Sequence, residues 1–216
     1  SFQEYGSVSE PGSPDTRRHA AWAVRPQGWP IELSTERFVL RSMVRADASE
    51  RWLGWLADAE VMRPLHMPTR QSSVEEIAAH IEQFDNDLRL LVGIFTREAR
   101  EHIGFYMIEV DRAHALASFN VFVGDRSWWG RGVVNETRAA LLDHFFDLRG
   151  IEKVIGQPLA RNFGALFNYR AQGWKLEGVW RRHRRSFLTG ERIDQYNFGL
   201  LKDDWHRLRS GGTVAP

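Results

Sequence analysis

The stretch SWWGRGVVNETRAALLDHFF, Ser127 to Phe146, decides the fold. Two glycines bracket an arginine at Gly130-Arg131-Gly132, and a helical pattern follows at once. Val134, Thr137 (by its methyl), Leu141, Leu142, Phe145 and Leu148 recur at helical spacing. Upstream, Ala117, Phe119, Val121 and Val123 alternate with Ser118, Asn120 and Phe122, which is the period of a strand. The order is therefore strand, glycine turn, helix. Such a turn aims unpaired backbone N–H groups outward at a helix N-terminus, where they suit an anion. Glycine also lets a phosphate approach the backbone closely. Neither GxxxxGK[ST] nor GxGxxG is present, since Val133 and Val134 follow Gly132. A plain tight connection would use the same residues, so the weight falls on what comes after the helix.

That segment is IEKVIGQPLARNFGALFNYRAQGWKLEG, Ile151 to Gly178. With it the chain resembles the GNAT superfamily of acetyl-CoA-dependent N-acetyltransferases, in the branch that includes ribosomal-protein and amino-sugar acetylating enzymes. The family motif Q/R-x-x-G-x-G/A sits at a strand–helix junction. Gly130 and Gly132 match its glycines, and Ser127 stands where Gln or Arg is usual. Trp129-Gly130 matches an aromatic-Gly pair at the turn, and Glu136 a helical glutamate. Asn162 opens a helix that ends in Gly173-Trp174, as in the branch. Gly178, Arg181, Gly190, Asp194 and Trp205 fit its C-terminal pattern. The resemblance spans roughly Leu33 to Trp205 and is strongest from Gly104 onward.

The resemblance implies a mixed α/β (α+β) fold. It has a central, mostly antiparallel seven-stranded sheet, splayed between its fourth and fifth strands, and about four helices. Periodicity gives the same order independently. Glu36 to Val44 reads as a first strand, and Asp47 as the cap of a helix carrying Trp52, Leu53, Trp55 and Leu56. Ser73 and Glu76 form a capping box for a helix with the stripe Val74, Ile77, Ala78, Ile81, Phe84 and Leu88. Leu90 to Thr96 and Ile103 to Asp111 read as paired strands, and the last two strands as a hairpin around Thr189-Gly190. On that hairpin Arg181 to Arg185 read either as a basic surface or as side chains split between two faces.

At 216 residues the chain suits one domain with extensions. Ser1 to Pro30 is a Pro-rich arm without periodicity, residues 31–205 the acetyltransferase domain, and residues 206–216 a polar tail. The arm's Trp22 and Trp29 either dock on their own domain or meet a second subunit, which leaves a homodimer open. A net charge of +1 argues against a nucleic-acid or membrane-surface binder. The chain has no cysteine, so it offers no disulfide, thiolate nucleophile or thiolate metal site, and this fits a cytoplasmic protein. Its eight histidines lack HExxH-type spacing, and no metal is expected. No apolar run approaches the ~18 residues of a membrane span, and no charged-then-apolar leader pattern opens the sequence.

Acetyl-CoA needs a phosphate cradle, a slot for its pantetheine arm and a donor for the thioester carbonyl. The expected cradle is Ser127, Trp128, Trp129, Gly130, Arg131, Gly132 and Val133, by backbone N–H, with Arg131 and Arg126 adding charge. The resemblance places the pantetheine beside Asn120 to Val123, where that strand leaves Val154-Ile155. An N–H near Phe122 would then hold the carbonyl oxygen. Asn162 is read as a helix cap, and the resemblance implies that it also contacts the pantetheine. Tyr169 is the acid expected to protonate the leaving thiolate, the alternative being a core tyrosine. Glu109 is the expected base, His66 a second candidate, and Glu136 a structural residue. The acceptor is a small-molecule amine, an amino-sugar or a peptide amine. A non-catalytic acyl-CoA-binding protein is the alternative from another class.

Overall fold

The computed structural model describes residues 28–212. The elements run β1 (Glu32–Ser34), β2 (Phe38–Ser42), α1 (Glu50–Ala57), α2 (Ala59–Met62), α3 (Val74–Ile81), β3 (Arg89–Thr96), β4 (His102–Asp111) and β5 (Leu116–Val123). Then come α4 (Val133–Leu148), β6 (Lys153–Gly156), α5 (Phe163–Ala171), β7 (Lys175–Arg185), β8 (Arg192–Leu201) and α6 (Lys202–Arg209). The strands form one sheet in the order β1-β2-β3-β4-β5-β6-β8-β7. Every neighbouring pair is antiparallel except β5 with β6.

Among the described residues the sheet has eight strands rather than the seven expected, and there are six α-helices rather than about four. The additions are β1, α2 and α6. β1 is three residues long, too short to show a period, and pairs through Leu33↔Leu40. α2 is a single turn started by Asp58, whose side chain accepts the Glu60 N–H at 2.8 Å. α6 lies where a polar tail was expected. It is held by Trp205, whose indole N–H donates to Asp143 at 2.7 Å.

Capping divides between one success and one correction. Ser73 and Glu76 do form the box that starts α3. Asp47 does not cap α1, which is preceded by Ser49. It instead pairs with Arg41 at 2.6 Å and accepts the Val44 N–H at 2.8 Å. α3 ends at Ile81, so Leu88 falls off its stripe and is exposed.

Two apolar cores flank the sheet. On one face Trp52, Trp55, Ile77 and Ile81 of α1 and α3 pack on Leu91 and Phe105. On the other, Leu141, Leu142 and Phe145 of α4 pack on Tyr106, Ile108 and Phe119. α4 is buried around a wider arc than its apolar stripe, taking in Val133, Arg138 and His144. Strands β4 and β5 alternate between the faces, so Tyr106 and Phe119 go to α4, and Phe105 and Phe122 to α1.

Candidate active site

The pairing of β5 with β6 is brief. Only Leu116↔Lys153, Ala117↔Val154 and Ser118↔Ile155 are in register. Beyond them β5 runs on to Val123 bound to β4 alone, while β6 leaves with β8. The segment after β6 follows β8, the Tyr196 N–H donating to Pro158 at 3.0 Å and the Ala160 N–H to Asp194 at 2.9 Å. The result is a V-shaped gap in mid-sheet, with its apex at Ser118 and Ile155. This is the splay expected between strands four and five of the seven-strand count. Five residues of β5, Phe119 to Val123, border it, about 17 Å of extended chain.

Register decides which peptide groups look into the gap. The Gly124 N–H donates to Ile103 of β4 at 3.0 Å. By the two-residue alternation of an antiparallel ladder, the N–H groups of Phe122 and Asn120 also turn to β4. The donors facing the gap therefore belong to Val121 and Val123. Phe122, expected to supply one, instead sends its ring toward Trp55, 6.1 Å away between centroids. The Val123 carbonyl accepts the Trp129 indole N–H at 2.8 Å, which fixes that ring at the open end.

At the same end lies the glycine turn. Gly130 and Gly132 have φ of 71° and 74°, left-handed values that demand glycine or tolerate asparagine. A Cβ at Gly130 would touch nothing, so the turn leaves room in front of its backbone. Gly132 precedes α4, and the Glu136 N–H already closes on its carbonyl at 3.1 Å. The N–H groups of Gly130, Gly132, Val133, Val134 and Asn135 have no acceptor among the described residues. Those of Ser127, Trp128, Trp129 and Arg131 are used within the turn. The Ser127 hydroxyl donates to Asp125 at 2.7 Å. The unpaired donors thus begin at Gly130 and reach Asn135, further into α4 than Ser127 to Val133 suggested. Asp125, an unnoticed turn-former, is the cause.

The expected cations divide. Arg131 is exposed above Trp128, with its guanidinium carbon 5.9 Å from the ring centre. Arg126 turns away to Asp58 at 3.3 Å. Arg37, which no sequence pattern singled out, has its guanidinium beside Gly132. It is held there by Glu136, whose carboxylate accepts the Arg37 Nε–H at 2.7 Å, the Arg37 backbone N–H at 2.9 Å and the Thr35 hydroxyl at 2.6 Å. Burial pushes the Glu136 carboxyl up, but these donors outweigh it and hold the pKa below the usual value. Both its oxygens are committed, in keeping with a structural role.

The apex carries the reactive candidates. Tyr169 of α5 is buried, stacked on Phe198 at 4.9 Å and edge-on to Trp174 at 5.0 Å. Its hydroxyl lies against the Cα of Gly156, the first β6 residue past the pairing with β5. Desolvation raises its pKa, and the neighbouring Arg138 acts the other way. Asn162 caps α5, its Oδ1 accepting the Ala165 N–H at 3.1 Å. Glu109 stands opposite Ser118 across the β4–β5 ladder, level with the apex but on the α1 face. It is exposed and borders a shallow depression with Asp111, Leu116 and Ser118. His66 is elsewhere engaged. Its Nδ1 is 3.1 Å from the Ser186 Oγ, and its carbonyl accepts the Phe187 N–H at 3.0 Å. That contact joins the loop after α2 to the β7–β8 hairpin, across the gap on its α1 face.

The sequence matches the family described as the Acetyltransferase (GNAT) domain over residues 37–167, more than half of the chain. The chain belongs to this family of acetyl-CoA-dependent N-acetyltransferases. No curated protein matches it. Among solved structures it is similar to a ribosomal-protein-S5-alanine acetyltransferase from Vibrio fischeri, with a TM-score of 0.69 and 15% identity over 81% of this chain and 98% of that one. It is similar to a spermidine N-acetyltransferase from Vibrio cholerae in complex with CoA and spermine, with a TM-score of 0.67 and 17% identity over 78% and 98%. A GCN5-related N-acetyltransferase from Brucella melitensis gives 0.71 and 14% over 86% and 85%. At these identities the likeness speaks for the fold.

Proposed function

We propose that the chain transfers the acetyl group of acetyl-CoA directly to a primary amine of a small molecule or amino-sugar. One observation carries this reading: the gap between β5 and β6 has unpaired N–H donors of a helix N-terminus at its open end and a buried phenol at its apex. The pyrophosphate fits the donors from Gly130 to Asn135. The pantetheine arm fits the bare edge of β5, its amides pairing with Val121 and Val123 as a strand would. The Val121 or Val123 N–H is then the donor for the carbonyl oxygen as charge develops on it. Glu109 takes a proton from the acceptor ammonium on the α1 face, directly or through water. The neutral amine attacks the carbonyl carbon. Tyr169 protonates the departing sulfur from the α4 face. Acid and base thus stand on opposite faces of the sheet, with the gap between them. The bridge from His66 to the hairpin narrows the α1 face and favours a small acceptor.

Thiol release from acetyl-CoA across polyamines, amino-sugars and alanine-terminated peptides tests the reading. Turnover with small amines and none with peptides is expected. Turnover confined to peptides would replace the acceptor class with a protein N-terminus.

A further inference from the structure

Arg138 sits in the middle of α4 with 1% of its surface exposed. It makes no ion pair among the described residues. Its Nε–H donates to the Gln172 Oε1, and the Gln172 amide in turn donates to the Asn135 carbonyl at 2.7 Å, so the side chain is braced. Its Nη2 is buried without a hydrogen-bond partner. The guanidinium carbon lies 4.3 Å from the centre of the Tyr169 ring and 5.1 Å from that of Trp174. A buried cation without a carboxylate is costly unless something nearby uses the charge.

We infer that Arg138 is the positioning residue for Tyr169, holding the ring at the apex of the gap and stabilising the tyrosinate formed when the phenol gives up its proton. The inference rests on Tyr169 being the general acid. In that step the C–S bond breaks and its electron pair goes to sulfur. The phenolic proton moves to sulfur, leaving an anion on the Tyr169 oxygen. The proton released by the acetylated nitrogen then returns to that oxygen through water. Within an apolar pocket the tyrosinate needs a counter-charge. The charged or titratable groups around the ring are Arg138 from α4 and Tyr106 from β4. From β6, β8 and the turn after α5 come Gly156, Phe198 and Trp174, which carry no charge. Tyr106 points its hydroxyl at Thr137, 2.9 Å away, and is itself pushed up to about 12 by burial. Arg138 is therefore the counter-charge available.

The test places trifluorotyrosine at position 169, which brings the phenol into an accessible pH range, and follows its absorbance in the parent, Arg138→Met and Arg138→Lys. Loss of the cation should raise the titration midpoint by roughly one pH unit or more, with Lys close to the parent. In natural-tyrosine proteins, Arg138→Met should lower turnover several-fold at neutral pH without changing the Michaelis constant for acetyl-CoA. It should have no further effect in a Tyr169→Phe background. A merely structural role would lower the melting temperature and leave the midpoint alone. An unmoved midpoint in both Arg138 variants, with Tyr169→Phe inactive, overturns the role of Arg138 by itself. Full turnover in Tyr169→Phe overturns the acid assignment and this inference with it.

Discussion

Gly156 lacks a side chain because the Tyr169 hydroxyl occupies the place where one would be. Gly156→Ala should therefore push the phenol off the apex. Turnover should fall toward the level of Tyr169→Phe, roughly 100-fold or more if the phenol is the acid, while CoA affinity stays near that of the parent. Steady-state rates and calorimetry with CoA check this. At the other end of the gap, Gly130→Asn isolates the cradle from the fold. Asparagine tolerates the φ of 71°, and its Cβ would meet no protein atom within 4 Å, so the melting temperature should hold within a few degrees. The same side chain would stand in front of the free N–H groups. Losing even one charge-assisted hydrogen bond is worth about 1.5–3 kcal/mol, so CoA should bind about tenfold more weakly or worse. Unchanged affinity would remove Gly130 from the site.

Glu136 ties the β1–β2 turn to the first turn of α4. Its folded pKa lies below the ordinary 4.5. It therefore contributes stability above that value and loses it as pH falls through the folded value. Glu136→Gln should lower the melting temperature at neutral pH, and the difference from the parent should close below about pH 4.5. The freed Arg37 should also weaken CoA binding, since it lies beside Gly132. Melts over a pH series and a CoA titration read both. At this scale much was legible in the sequence. β5 and α4 each carry an apolar period long enough to declare itself, β6 and α5 were read through the resemblance, and the Ser73–Glu76 box is local chemistry. β1 and α2 are too short for a period, and α6 buries Trp205 alone. Arg138 was illegible for a different reason: a charged residue in a helix reads as solvent-facing until the packing around it is known. The Phe122 N–H was misplaced because strand alternation does not tell which neighbour an amide turns to.

Across the whole molecule, the largest part of the response to mild acid is expected from His102, with the less buried His80 shifted the same way. The His102 ring is buried among Trp52, Trp55 and Phe95, with both nitrogens unpartnered. Burial pushes its pKa down from 6.5 to about 4. Between those values the unfolded chain binds a proton that the folded one refuses, so stability should drop as pH falls through the window, by roughly 3 kcal/mol in full. His102→Phe should flatten this part of the profile, leaving the carboxylates to act at lower pH. Denaturant melts from pH 7 to 4 on both proteins would show it, and parallel profiles would place the acid sensitivity elsewhere. Among the described residues no helix is long and apolar enough to cross a membrane.

The three-residue pairing of β5 with β6 has one more effect. Most sheets hide their interior strands completely, but this one leaves a bare edge in the middle, open to any extended peptide of matching register. On that physics the folded chain without its co-substrate should be prone to mispair with its neighbours there. On the proposed binding mode, occupancy by CoA would close the edge and shift the folding equilibrium, by about 2.7 kcal/mol when the free ligand stands at a hundred times its dissociation constant. The molecule that feeds the reaction would then also act as a chaperone for the sheet that receives it.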